Sequence, residues 1–389
     1  MHRSKNIAAR GGFTLLEVMV ALTVGGIALT SIYAIGSAST RHFQGQQRVS
    51  AAQTSLRTAM AVLKHDFARA GYMSTPNSRS PGEVCSEPGA VEGRWVGAVN
   101  NYVKLAAKPS NLDPKNLNPT PDTPNFYGVD QVWLTGNYST SGEYPNISLS
   151  PDGSVVTVPM GWQSFQRDFA EYSGTNIAQC NAAVFQATFP TDRLVRLHSQ
   201  SGLFFYARVA STTCVGGPTA AATITLRDAV PTSCNMSGGW IAPVNTMFYR
   251  AVNAEAGEDD MLTRNVVLRR SEVTAADRNA LLTATIGSDR VNLDDRAILD
   301  YVVRFSVDFL GAFNGTLSHV PMTQGEWQLN PERIRAVVLD VAVRTAQQET
   351  DFNNDVPTAA FRLYEGLGAA RVRRLRAELL LPNVANRNL

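Results

Sequence analysis

The sequence predicts an α+β protein: a long N-terminal α-helix packed on an antiparallel β-sheet, with an enlarged β-rich insertion in its middle. Three observations carry this. No proline occurs between Met1 and Met73, where the apolar pattern is first continuous and then helical in period. Proline then becomes frequent, at Pro76, Pro81, Pro88, Pro109, Pro114, Pro119, Pro121 and Pro124, among many Asn, Ser and Gly. Beyond it, short runs of β-branched and aromatic residues alternate with turn residues, as in antiparallel sheet. At 389 residues, 44% of them apolar and 17% charged, the chain has ample length for a sizeable core.

Residues 1–12 form a basic leader carrying His2, Arg3, Lys5 and Arg10. Phe13 to about Ile35 is apolar and long enough for one membrane crossing at about 1.5 Å per residue. The basic flank should stay in the cytoplasm, placing the remainder on the other side of the membrane. From Gly11 to Thr40 the only charged side chain is Glu17. A carboxylate in a membrane helix costs on the order of 2.5–3.5 kcal/mol. It needs a partner, and this helix is expected to offer none, so the partner should come from another molecule. An ordinary secretory signal carries its small-residue cleavage site after the apolar run. Here Gly11 and Gly12 precede it, and cleavage after Gly12 would leave the helix on the mature chain as an anchor.

Past Thr40 the helix becomes amphipathic. Val49, Leu56 and Leu63 recur every seven residues, and Ala52, Met60 and Phe67 fill the three- and four-residue offsets. One helix over 13–72 is therefore expected, its first half in a membrane or fibre core and its second half laid on a globular domain. Gly25, Gly26 and Gly36 are the places where it would bend or melt.

Residues 73–389 read as a β-rich domain, with the unusual central region at about 75–255. The expected strands are Val129–Leu134, Ser154–Val158, Val184–Phe189, Leu203–Val209, Ala222–Leu226 and Met247–Val252, then Ile298–Phe309, Ile334–Val343 and Arg371–Leu381, with Ile334–Val343 mostly buried. Cys85, Cys180, Cys214 and Cys234 include no C-x-x-C pair, which suits one or two structural disulfides in an oxidising compartment. Cys214 with Cys234 would close a loop of about twenty residues, worth roughly 3 kcal/mol in the chain-entropy model, and leave Cys85 with Cys180. Three pairings are open to four cysteines.

The basic residues, Gly12, then Phe13-Thr14-Leu15-Leu16-Glu17 and an apolar helix strongly resemble a class III signal, the N-terminus of type IV pilins and type II secretion pseudopilins. The resemblance implies that a prepilin peptidase cuts between Gly12 and Phe13 and N-methylates Phe13. It implies also that Glu17 pairs with the Phe13 amine of a neighbouring subunit during assembly, which fits the need of a buried carboxylate and ammonium to meet. Asp66-Phe67-Ala68-Arg69-Ala70-Gly71-Tyr72, the run from Arg333 to Thr345, and the segment Arg373–Leu389 resemble the helix end, late strand and terminus of PilW-type minor pilins. That likeness covers roughly 1–72 and 260–389. It implies a pilin-like fold and a low-copy structural subunit near the fibre tip that helps to prime assembly and supports twitching motility or adhesion. The implied partners are other minor pilins, the major pilin, the prepilin peptidase and the inner-membrane assembly platform. The prepilin would sit in a bacterial inner membrane with its globular domain in the periplasm, and become extracellular in the pilus. Rivals are a J-type pseudopilin of a type II secretion system, and an adhesin or ligand-binding module on a pilin stalk.

The sequence offers no catalytic constellation and no cofactor motif, and an enzyme is not expected. The five histidines are scattered, and no P-loop or nucleophile elbow occurs. Asp351, Asn353 and Asp355 have oxygen ligands at alternating offsets and could grip calcium weakly, but an Asx-rich turn is the plainer reading. Glu255, Glu258, Asp259 and Asp260 read as a solvated loop. The net charge of +2 argues neither for nor against nucleic acid, because the positive charge is not concentrated. The densest cluster, Arg371, Arg373, Arg374 and Arg376, reads as a solvated strand face rather than a phosphate patch, and no nucleic-acid partner is expected. Trp95, Trp133, Trp162, Trp240 and Trp327 could line a groove, but at dispersed positions they read as core or half-buried sheet residues.

Overall fold

The structure is a computed structural model and describes residues 14–74, 85, 99–107, 127–173, 176–215, 221–253, 266–273, 295–311, 320–321, 333–346, 360–361 and 370–385. The chain divides after Ala51 into two compact units. Helix α1 is Leu15–Arg69, unbroken at Gly25, Gly26 and Gly36. The first strands are β1 (Val99–Ala107), β2 (Tyr127–Gly136), β3 (Tyr144–Pro145), β4 (Ser148–Leu149) and β5 (Val155–Val158). Helix α2 (Gln163–Phe169), the hairpin β6 (Ala170–Ser173) and β7 (Asn176–Cys180), and helix α3 (Ala182–Thr188) follow. Next come β8 (Leu194–His198), β9 (Phe204–Val215), β10 (Ala221–Leu226), β11 (Trp240–Asn253) and β12 (Val266–Val273). The chain then forms β13 (Asp295–Leu299), β14 (Val302–Gly311), β15 (Val320–Pro321), β16 (Ile334–Arg344), β17 (Ala360–Phe361), β18 (Ala370–Leu380) and the short helix α4 (Pro382–Ala385).

One sheet runs in the order β17-β18-β16-β14-β2-β11-β8-β9-β10-β5-β4. Its pairs are antiparallel apart from β14 with β2, where Phe305 lies opposite Val129. Strand β11 joins its two halves. Residues Trp240–Val244 pair with β8, while Asn245–Tyr249 pair with β2 and Thr246–Asn253 with β12. A core lies against each half. On one, Leu56, Met60, Leu63 and Phe67 of α1 pack on Val132, Tyr249, Leu268, Phe305 and Leu339. On the other, Tyr144, Phe165, Phe169, Phe185 and Phe189 form an aromatic cluster over β5, β9 and β10. Of the side chains the spacing anticipated, Leu56, Met60, Leu63 and Phe67 are buried while Val49 and Ala52 are half-buried, and Arg57 and Lys64 stay exposed. Strand β16 is buried on nearly every residue, as expected for 334–343, because β14 and β18 flank it and α1 packs on the same sheet.

Two strand assignments need correction. Val184–Phe189 falls in helix α3: Asn181 caps it by accepting from the Val184 N–H at 3.0 Å, and Phe185 and Phe189, one turn apart, both enter the aromatic core. A run of Val and Phe has strand-like composition, but here its spacing of four decided the outcome. Ile298–Phe309 is two strands, broken at Asp300 and Tyr301, where Tyr301 has φ of 57°. Strand β13 goes on to pair with β12, and β14 with β16.

The disulfide pairing also differs from expectation. Cys85 joins Cys234, and Cys180 joins Cys214, with Cα separations of 6.1 and 6.0 Å. The Cys85 N–H bonds the Phe204 carbonyl at 2.7 Å, at the start of β9. Cys214 lies ten residues further along that strand, roughly 33 Å away at about 3.3 Å per residue. A Cys214–Cys234 bond is therefore out of reach, since Cys234 is held beside Cys85. Strand geometry outweighed the shorter loop.

Candidate membrane-anchoring and assembly site

The start of α1 is organised by Thr14 and Glu17. Thr14 donates its backbone N–H and its hydroxyl to Glu17 Oε2, at 2.9 and 3.0 Å, and the Glu17 N–H points back to Thr14 Oγ1 at 3.3 Å. This is a capping box: the Thr-x-x-Glu spacing lets each side chain satisfy the other's free backbone donor. The expectation that the helix offers Glu17 no partner is therefore wrong. Its oxygen has two donors from its own first turn, and the positive end of the helix dipole favours the carboxylate. What the turn does not supply, among the described residues, is a counter-charge. Thr-x-x-Glu ahead of an apolar run was legible in the sequence and was missed.

The helix that follows is long and apolar enough to cross a membrane. Its large side chains from Leu15 to Ile35 are exposed, with Leu15 81% and Ile27 68% accessible. Its polar groups turn inward on the helix itself. The hydroxyls of Thr23, Thr30, Ser31, Ser37 and Thr40 each donate to a carbonyl three or four residues back, at 2.9–3.0 Å. In hydrocarbon that removes the cost of an unsatisfied hydroxyl.

At its other end α1 is fastened to the sheet through the segment from Asp66 to Tyr72. The buried Asp66 carboxylate accepts from the Tyr249 hydroxyl and from Arg270 Nε, both at 2.5 Å, and the Tyr138 hydroxyl donates to the Asp66 carbonyl at 3.0 Å. Burial, reinforced by the Asp66 charge, pushes both phenols well above their usual range, so they stay protonated donors. Arg69 donates to the carbonyls of Asn137 and Thr140 at 2.8 and 2.7 Å. The Gly71 N–H then bonds the Thr135 carbonyl at 2.8 Å, Tyr72 accepts from the Asn137 N–H at 2.8 Å, and the Tyr72 hydroxyl reaches the Ser141 carbonyl at 2.7 Å. Gly71 takes the left-handed conformation that ends the helix, with φ of 76°, and a Cβ on Gly136 would lie 2.8 Å from the Arg69 carbonyl. The run Asp66-x-x-Arg69-x-Gly71-Tyr72 thus works as a single fastening.

The other candidates divide plainly. Gly12 and Phe13 lie outside the described residues, as do Asp351, Asn353 and Asp355, the acidic run at 255–260, Trp95 and Trp327. Among the described residues no group of three or more His, Cys, Asp or Glu is placed to hold a metal. Trp133 is buried edge-on against Phe248, whereas Trp162 is 47% exposed. Arg374 and Arg376 are exposed on β18, and Arg374 pairs with the buried Asp340, which also takes Arg304. That arrangement is a strand face with structural ion pairs.

A family model described as the prokaryotic N-terminal methylation motif matches residues 7–33. No curated protein and no solved structure matches the chain. The chain therefore carries a type IV pilin-like prepilin signal, on an α+β fold whose long N-terminal helix and antiparallel sheet are consistent with a pilin-like architecture. Such a signal is shared by pilins and pseudopilins, and it goes with membrane anchoring and membrane-associated assembly.

Proposed function

We propose that this chain is a minor pilin of the PilW type: a low-copy structural subunit that helps to prime a type IV pilus and sits near its tip. The observation that carries the reading is the prepilin motif at 7–33, set on the helix whose C-terminal half is fastened into the sheet. In this reading Gly12 and Phe13 flank the processing cut and Phe13 becomes N-methylated. Before docking, the Thr14 donors hold the Glu17 carboxylate in apolar surroundings. On docking, the carboxylate meets the ammonium of a neighbouring Phe13, which offsets the burial of both charges. Other minor pilins, the major pilin, the prepilin peptidase and the inner-membrane platform are its proposed partners, and no catalytic step or cofactor is assigned to it.

Mass spectrometry of fibres sheared from cells tests this. A peptide that begins at methylated Phe13, recovered from the fibres at low abundance, is the expected result. A processed chain confined to the envelope would refute the tip position and favour the J-type pseudopilin of a secretion system. Normal processing of a Gly12→Leu chain would show that the cut lies elsewhere.

A further inference from the structure

Residues 144–244 form a lobe inserted between two neighbouring strands of the body that α1 is fastened to. The chain leaves the body at the end of β2 and returns along β11, where Gly136 lies directly opposite Asn245. It therefore departs and re-enters about 5 Å apart. Among the described residues, β3 to β10 pair only within the lobe and with the first part of β11: β8 with β9, β9 with β10, β10 with β5, β5 with β4, β6 with β7, and β11 with β3 and β8. The lobe also has its own core, with Tyr144, Phe165, Phe185, Val195, Ile224 and Ile241. The body's buried core, from Leu56 to Leu381, includes no residue between 144 and 244. At about 100 residues the lobe has the size of an ordinary domain.

The junction is narrow and polar. Asn245, where β11 enters the body, donates to Ser139 Oγ at 2.8 Å and to Glu272 Oε1 at 2.7 Å, and accepts from the Tyr138 N–H at 3.0 Å. Arg193, just ahead of β8 in the lobe, pairs with Glu272 of β12 in the body. On the lobe side Arg193 is held by the carbonyls of Thr188 and Ala187, at 2.6 and 3.2 Å. Among the described residues, Arg193–Glu272 is the one ion pair that crosses from lobe to body. Unfolding spreads cooperatively where elements bury one another's apolar surface. Here neither core contributes to the other, so opening one breaks the clasp at Glu272 and leaves the other's apolar burial in place. The Cys180–Cys214 and Cys85–Cys234 bonds limit how far an opened lobe can expand.

We infer that residues 144–244 are an inserted domain that opens and closes as a unit while the body stays folded, with Arg193–Glu272 as the clasp between the two. The inference does not depend on fibre assembly. Native-state hydrogen exchange, read by peptide mass spectrometry on the purified full chain in detergent micelles, tests it. Phe185→Ala should speed exchange in β8, β9 and β10 by about 100-fold or more, with β14 and β16 unchanged within about threefold. Leu63→Ala should do the reverse, speeding β14 and β16 and sparing the lobe. Glu272→Gln keeps an acceptor for Asn245 and removes the charge. It should speed exchange about fivefold in both units, because either opening breaks the clasp. If Phe185→Ala unfolds the lobe outright, slow exchange in β14 and β16 should persist. Loss of that protection would overturn the inference, as would either core variant speeding both cores together, since the chain would then open as one cooperative unit. Exchange unaltered in Glu272→Gln would remove Arg193–Glu272 as the clasp.

Discussion

The fastening at the end of α1 makes a prediction that can be worked from its geometry. Asp66 is 3% exposed, and its side chain meets the Tyr249 hydroxyl and Arg270, itself 26% exposed. Replacing Asp66 with Ala leaves a largely buried guanidinium and a buried phenol without their acceptor. Removing one member of a buried ion pair costs about 3–5 kcal/mol, and the partial exposure of Arg270 places this case near the lower end, at about 3 kcal/mol. Arg270→Ala should cost a similar amount, since it strands the carboxylate. The double variant removes both charges together, so its cost should fall short of the sum by about 2 kcal/mol. For a chain of this size a urea dependence near 3 kcal/mol per M turns each single loss into a midpoint lowered by about 1 M. Trp133, buried against Phe248 in the same sheet, reports the transition by fluorescence of the full chain in detergent micelles. Additive effects within about 0.5 kcal/mol would refute the coupling and show that the pair does not fasten the helix.

Further outcomes follow from the same structure. Leu63→Ala should destabilise the chain by about 3–5 kcal/mol through the cavity it opens beneath α1, while Arg57→Ala should lie within about 0.5 kcal/mol of the natural chain in the same urea titration. Glu17→Ala should be cleaved normally yet be depleted from sheared fibres; wild-type incorporation would remove the assembly role of the carboxylate. The hydroxyls of Ser150 and Ser154 hold the Asp152 carboxyl down at about 2. A lowered carboxylate contributes stability above its ordinary unfolded value and loses it as pH falls through about 2, and an NMR titration of Ser154→Ala should show the Asp152 midpoint moving upward. Non-reducing peptide mapping should recover Cys85–Cys234 and Cys180–Cys214, and Cys180→Ser/Cys214→Ser should lower stability by about 4 kcal/mol in the chain-entropy model.

The sequence by itself determined whatever depends on neighbours along the chain. The apolar run after Phe13 and the heptad of Leu56 and Leu63 specify α1, because a helix brings residues three and four apart onto one face whatever surrounds it. The same local logic made the Thr14-x-x-Glu17 cap readable in principle. Strand β16 was equally plain, since a nearly unbroken apolar run has to be covered on both faces. Contacts between distant segments were decided only in three dimensions. The pairing of Cys180 with Cys214 depends on which end of β9 each cysteine meets, a matter of strand register that loop length does not encode. Asp66 is a surface-type residue beside His65 in the sequence, and becomes a buried anchor only because β11 and β12 bring Tyr249 and Arg270 beneath it.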